Sequence, residues 1–259
     1  IEKPRKPEKH NNDIIFFNKI KTIPGEFRLY KYKYISISQH WSAKFAKYWQ
    51  PGEEGAKKKF DDFFKEGAFF YSEGRNFPSK KNVSRLSPHI HWGEISPHKI
   101  WHKAHETLKG ENRMIFLSEI GWREFSYYLL YNFPNIQKEN LKKNYDKFEW
   151  LNNKNMIELW KKGKTGYPIV DAGMKELWDT GYMHNRVRMI TSSFLVKNLL
   201  AHWKHGELWF NNCLLDADVA SNSASWQWVA GTGTDSAPFF RIFNPITQSE
   251  KFDQTAEYI

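Results

Sequence analysis

The sequence predicts an all-α domain. Few segments alternate with period two, apolar residues return at helical spacing between Gly and Pro breaks, and hydroxyl residues stand directly before Pro where helices would begin. Residues 1–40 show no sustained period. Their opening IEKPRKPEKHNND is rich in Lys, Pro and Asn and reads as the remnant of an interdomain connector, with the helical domain expected over 41–259. Ordered structure is expected from near Trp49-Gln50-Pro51-Gly52, followed by a charged amphipathic helix from Glu53 to Phe64. Ser87-Pro88 and Ser96-Pro97 each place a capping hydroxyl before Pro at the first helical position, and the second should launch a helix running to Gly110. Arg113 to Tyr131 is a long aromatic helix that stops before Phe133-Pro134. Pro168 to Thr180 is a helix closed by Gly181, a residue suited to the left-handed position after a helix end. Val187 to Trp203 carries Ile190, Phe194, Leu195, Leu199 and Leu200 and is expected to form one further helix. No internal repeat is visible.

A chain of 259 residues can bury one sizeable core, and 12 Trp, 12 Tyr and 20 Phe supply much of it. Each large ring hides about 150–250 Å², so any single Trp is first of all a packing residue. The formal net charge of +10 suits a polyanionic partner, nucleic acid before an acidic membrane surface, although solubility alone would also account for it. The lone Cys213 excludes an internal disulfide and fits a reducing compartment. No apolar run is long enough to span a bilayer, and no signal-peptide pattern opens the chain. Because the first residue is Ile1 rather than Met, the chain is expected to be a fragment or a processed piece of a longer protein.

Chemistry concentrates between Thr180 and Trp228. Asn185, Arg188 and Met189 stand at i, i+3 and i+4, so they share one helix face. An amide, a guanidinium and a thioether make a poor core but a good lining for a heteroaromatic ligand. Arg188 could instead pair with Asp216. Asp216 and Asp218 follow Leu214-Leu215 and, if partly buried, need partners such as Arg186 and Arg188. The same spacing would also serve a hydrolase carboxylate pair or a divalent metal with phosphate, and by itself it does not choose. Ser84-Arg85-Leu86-Ser87-Pro88 brings two hydroxyls and a guanidinium to a helix start, which fits either a phosphate site or a plain cap at Ser87. Gly231-Thr232-Gly233-Thr234-Asp235 is not a dinucleotide fingerprint: position 236 is Ser and no strand precedes it. His98, His102 and His105 repeat along one helix, but no Cys or carboxylate joins them in zinc-like spacing. No metal site is expected, and a polar face beside Lys99 and Lys103 fits them better.

Taken in order, NVSRLSPHIHWGEIS, SEIGWREF, KTGYPIVDAGMKELWDTGYMHNRVRM, DADVASNSASWQW and GTGTDSAPFFRIFNPITQSEKFD resemble the flavin-binding domain of the photolyase/cryptochrome family over about 70–259, and most of all class I cyclobutane pyrimidine dimer photolyases. The resemblance implies a helical domain around FAD, active when reduced. Excited flavin would pass an electron to a flipped-out dimer in double-stranded DNA, and no general base would be needed. It implies that Tyr71, Val83, Ser84, Arg85, Leu86, Ser87, Phe116 and Arg123 contact the cofactor, with Val83 standing where Thr is usual. Arg188, Asp216, Ala217, Asp218 and Asn222 would flank the isoalloxazine, Asn222 at its N5. Glu119, Trp122, Asn185, Met189 and Trp228 would form the dimer pocket. Arg75, Arg123, Arg186 and Gln248 would meet the DNA, together with Glu119, Trp122 and Asn185 of the pocket. Trp226, Trp203 and Trp150 would relay electrons to oxidised flavin.

The resemblance further implies a monomer with no membrane association. An antenna chromophore of folate or deazaflavin type would sit in an N-terminal α/β domain, and by the resemblance this chain is expected to be a fragment without that domain and without the last C-terminal helices. The expected location is the bacterial cytoplasm at the nucleoid, or a nucleus or organelle in a eukaryote. Relatives acting on (6-4) photoproducts carry His where Asn185 and Met189 stand, and single-strand-specific cryptochromes of the DASH group usually replace the pocket indoles and the Met. A signalling cryptochrome without repair is the alternative, and a cofactor-free basic DNA-binding protein would be colourless.

Overall fold

The computed structural model describes residues 41–234 and 242–259. The predicted connector over 1–40, and Asp235-Ser236 of the Gly-Thr segment, lie outside the described residues. Among the described residues there is no strand, as the all-α prediction requires. The helices are α1 (Glu53–Lys65), α2 (Tyr71–Gly74), α3 (Ser87–His91), α4 (Pro97–Thr107), α5 (Gly110–Asn132), α6 (Lys154–Lys161), α7 (Pro168–Thr180), α8 (Asn185–Ser193), α9 (Trp203–Cys213), α10 (Val219–Ala230) and α11 (Pro245–Phe252). None of them is long and apolar enough to cross a membrane.

Two cores flank the region where the functional motifs meet. One joins α1, α2, α4 and α5 through Phe60, Phe63, Phe64, Tyr71, Ile100 and Phe116, with Leu86 from the loop before α3. The rings of Phe63 and Phe116 lie 5.2 Å apart, and Tyr71 meets Phe116 edge-on at 5.1 Å. The larger core joins α6 to α10 around Trp160, Met174, Leu195, Trp203, Phe210 and Trp226. Trp160 is fully buried and donates its indole N–H to the Thr191 carbonyl at 3.0 Å, so its one polar atom is satisfied. α9 and α10 approach closely because position 206 is Gly: a Cβ there would lie 2.0 Å from Cη2 of Trp226.

Several helix ends follow the sequence. Ser96 accepts from the His98 N–H, Gly181 takes φ 69°, and α5 stops before Phe133-Pro134. Four expectations are corrected. Ordered structure is already present before Trp49, in a 3₁₀ turn over Trp41–Lys47, where Trp41 stacks on Trp178 of α7 at 4.6 Å and Phe45 is buried. The helix launched at Ser96 ends at Thr107, since Leu108 turns into the core, and Gly110 opens α5 instead of closing α4. The cap at Ser87 is not made: Leu86 occupies the cap position and Ser87 Oγ donates to Asp216 Oδ2 at 2.5 Å.

The fourth correction concerns Val187 to Trp203, which is not one helix. After α8 the chain widens into a π-helical turn, Phe194–Asn198, and Leu200 has φ 48°. Trp203 then opens α9, with the His202 side chain accepting from the Lys204 N–H. No Gly or Pro marks this break. It is made by tertiary partners: Leu151 N–H donates to the Leu200 carbonyl at 3.0 Å, and His202 N–H donates to Asn152 Oδ1 at 2.9 Å.

Candidate cofactor and nucleic-acid site

A groove with a cavity of about 450 Å³ opens between α5, α8 and α10 and the α9–α10 loop. The amphipathic logic of α8 supplies one wall. Val187 and Ile190 go into the core, while Asn185, Arg188 and Met189 face the groove as their shared spacing predicts. Asn185 Nδ2 lies 4.0 Å from Met189 Sδ. The opposite wall comes from α5 with Glu119 and Trp122, and the floor from α10 with Asn222, Trp226 and Trp228.

Asp216 sits in the α9–α10 loop with 5% of its side chain exposed, and Arg188 Nη2 donates to its Oδ2 at 2.8 Å. Of the two arrangements open for Arg188, groove lining and pairing with Asp216, the structure contains both at once. Arg188 Nε also donates to the Met183 carbonyl at 2.8 Å. Burial alone would make the guanidinium easier to deprotonate, but Asp216 outweighs it and holds Arg188 charged. Asp216 Oδ1 is buried with no protein partner.

Asp218 does not pair with either arginine. It caps α10 through the Ser221 N–H at 2.8 Å and accepts from Tyr127 Oη at 2.5 Å. Burial raises its carboxyl, yet these bonds, with Arg123 nearby, hold it below the usual range. Tyr127 was missed in the sequence, although it stands four residues after Arg123 on α5 and its hydroxyl accepts from Arg123 Nη2 at 3.2 Å.

Glu119 is not isolated: Arg75 Nη1 lies 2.6 Å from its Oε1, so these two predicted residues form an ion pair at the groove. Trp122 is 54% exposed and stands at the mouth. Trp228 also lines the cavity, with its ring 6.4 Å from Phe243. Asn222 donates its amide to the Glu207 carbonyl and to Asn211 Oδ1. Thus Arg75, Glu119, Trp122, Asn185, Arg188, Met189, Asp216, Ala217, Asp218, Asn222, Trp226 and Trp228 are brought together.

Other predicted residues lie outside the cavity lining. Tyr71, Leu86 and Phe116 are buried in the first core, where their side chains pack rather than face the groove. Val83 and Ser84 are half-buried. Arg85, in the left-handed region at φ 53°, pairs with Glu176 at 3.1 Å, while Ser87 reaches the groove wall only through Asp216. Arg186 donates to Asn76 Oδ1 at 2.6 Å and lies over the Phe252 ring, and Gln248 is on α11. Of the three histidines on α4, His102 is buried and the others are exposed. They are therefore not one polar face, and among the described residues no group of three metal-ligating side chains occurs.

The three predicted relay indoles belong to one hydrophobic body. Trp226 lines the cavity and packs on Phe210 at 5.0 Å. Trp203 is fully buried and donates to Asn140 Oδ1 at 2.8 Å. The partly buried Trp150 lies 5.4 Å from His202, whose ring is 5.5 Å from Trp203.

His184 caps α8 by accepting from the Arg186 N–H. Burial, with Arg188, Arg85 and Arg186 around it, lowers its pKa to about 3. It is therefore neutral when folded but titrates near its ordinary value of about 6.5 when unfolded. Its contribution to stability is complete above the unfolded value and is lost as pH falls toward 3, because the unfolded chain binds the proton first. Urea midpoints measured from pH 7 to 4 should fall less steeply for His184→Asn, which keeps a capping acceptor without a titrating ring.

A family model described as the FAD binding domain of DNA photolyase matches residues 116–259. The deoxyribodipyrimidine photo-lyase of Agrobacterium fabrum is 49% identical over 92% of this chain and 50% of its own length. The Escherichia coli K12 protein of the same name is 44% identical over 80% of this chain and 45% of its own. A solved bacterial class III photolyase from Agrobacterium tumefaciens superposes with a TM-score of 0.85 at 48% identity, covering 92% of this chain and 50% of that one. The class I resemblance of the motifs thus stands beside a class III structural neighbour. The chain spans about half the length of the curated relatives it matches.

Proposed function

Since the chain belongs to the family of the FAD-binding domain of DNA photolyase, we propose that it holds FAD in this groove and repairs cyclobutane pyrimidine dimers in double-stranded DNA under light. One observation carries the reading: the Arg188–Asp216 pair, the Asn222 amide and the Trp122 and Trp228 rings with Glu119 line a single groove. The donor set fits a flavin. Asp216 Oδ1, buried and unpartnered, is an acceptor for a ring N–H, and the guanidinium beside it is a donor for the electron-rich ring edge. When bound, reduced FAD supplies on excitation the electron that opens the cyclobutane ring and takes it back.

The chain's own residues bind and orient. Trp122 and Trp228 offer flat faces on which the splayed bases of a dimer stack. Glu119, held by Arg75 at 2.6 Å, presents a carboxylate to base N–H groups. A dimer stacks poorly and bends its duplex, which lowers the cost of turning it out into such a pocket. Arg75, Arg123, Arg186 and Gln248 are proposed to meet the DNA strand, the arginines giving phosphate affinity without sequence readout. Trp226, Trp203 and Trp150 are proposed to return electrons to oxidised flavin.

The test is light-dependent loss of dimers from irradiated DNA by flavin-loaded protein. Trp122→Ala should weaken binding of dimer-containing DNA about tenfold or more, and Glu119→Ala should slow repair. Flavin-loaded protein that repairs nothing under blue light would overturn the reading in favour of a photoreceptor.

A further inference from the structure

Behind the groove, α9 and α10 are tied by a short polar ladder whose α9 members, Gly206, Glu207 and Asn211, have no part in the proposed reaction. Gly206 lies against the Trp226 ring, the buried Glu207 carboxylate accepts from Ser223 Oγ, and Asn211, one turn further along α9, accepts from Asn222 Nδ2 at 2.8 Å. The same nitrogen donates to the Glu207 backbone carbonyl at 3.0 Å. A carbonyl can only accept, so the atom facing it must be the amide nitrogen, and the end of Asn222 left without a partner is Oδ1. Asn222 lines the cavity and Asn211 does not.

We propose that Asn211 is a positioning residue that locks Asn222 with its carbonyl oxygen toward the cofactor, so that the site favours flavin protonated at N5. The inference rests on the FAD reading and on the place of Asn222 beside N5. With both amide hydrogens engaged on α9, Asn222 offers N5 an acceptor and no donor. An N5 that takes a proton from solvent on reduction gains a hydrogen bond there, and an N5 lone pair meets an oxygen. Without Asn211, one N–H of Asn222 loses its acceptor, and only the Glu207 carbonyl resists turning of the amide.

The experiment compares Asn211→Leu, Asn211→Ala and Asn211→Asp in flavin-loaded protein. The readouts are the visible spectrum after one-electron reduction, blue when N5 is protonated and red when it is not, and the flavin midpoint potential. Leu or Ala should lower the ratio of protonated to unprotonated N5 about fivefold, whereas Asp, which keeps an acceptor for Asn222, should restore it. Ala carries the test if Leu fails to fold. An unchanged ratio in Leu or Ala, or an Asp variant that behaves like them, overturns the assignment of Asn211 while leaving the FAD reading intact. A parent protein that binds no FAD overturns both.

Discussion

Arg188→Ala should lower stability by about 3–5 kcal/mol and strip FAD from the protein. The Asp216 side chain is almost fully buried, and Arg188 is its only cationic partner among the described ion pairs. With the guanidinium gone, Ser87 Oγ alone remains on that carboxylate, and a buried charge held by one hydroxyl is costly. The Met183 carbonyl loses its donor in the same step. Urea denaturation of the apoprotein measures the first effect, and flavin absorbance after gel filtration measures the second. Arg188→Lys should recover part of the stability but less flavin, because an ammonium cannot reach Asp216 and Met183 with a guanidinium's fixed geometry. A loss under about 1 kcal/mol would rank this contact with exposed surface pairs and remove the argument that it anchors the site.

Trp203 separates folding from electron supply. Trp203→Ala empties a fully buried indole site and should cost about 3–5 kcal/mol. Trp203→Phe keeps most of the ring volume but leaves Asn140 Oδ1 without its donor, a loss of about 1–3 kcal/mol. The Phe variant should therefore stay folded and flavin-loaded. If Trp203 joins the proposed relay, light should no longer reduce oxidised flavin in this variant, whereas protein reduced chemically beforehand should still clear dimers. Photoreduction at the parental rate in the Phe variant would take Trp203 out of the relay and leave it a core residue.

Much of the molecule was legible because local chemistry and tertiary structure agree. α7 begins at Pro168 and closes at a left-handed Gly181, both fixed by backbone preference. Asn185, Arg188 and Met189 share a wall because helical spacing requires it. The sequence also offered Asp216 two candidate arginines, and the fold selected one: Arg186 points instead to Asn76 and Phe252. Where local signals were silent, the reading failed. The break between α8 and α9 has no Gly or Pro, and arises from Leu151 and Asn152 pairing with Leu200 and His202 across the fold. Ser87 looked like a cap, but a carboxylate 129 positions away took its hydroxyl.

The sequence by itself determined an all-α class, most helix boundaries, a basic charge balance and the residue types that line the groove, since these depend on spacing, backbone preference and composition. The order of its motifs also pointed to the family. Only the tertiary structure decided which of those residues share a groove. It placed Tyr71, Leu86 and Phe116 in a core, joined Arg75 to Glu119, and used Asn211 to turn the Asn222 amide. Side-chain orientation depends on partners far away in the chain, and a one-dimensional pattern carries no record of where those partners arrive.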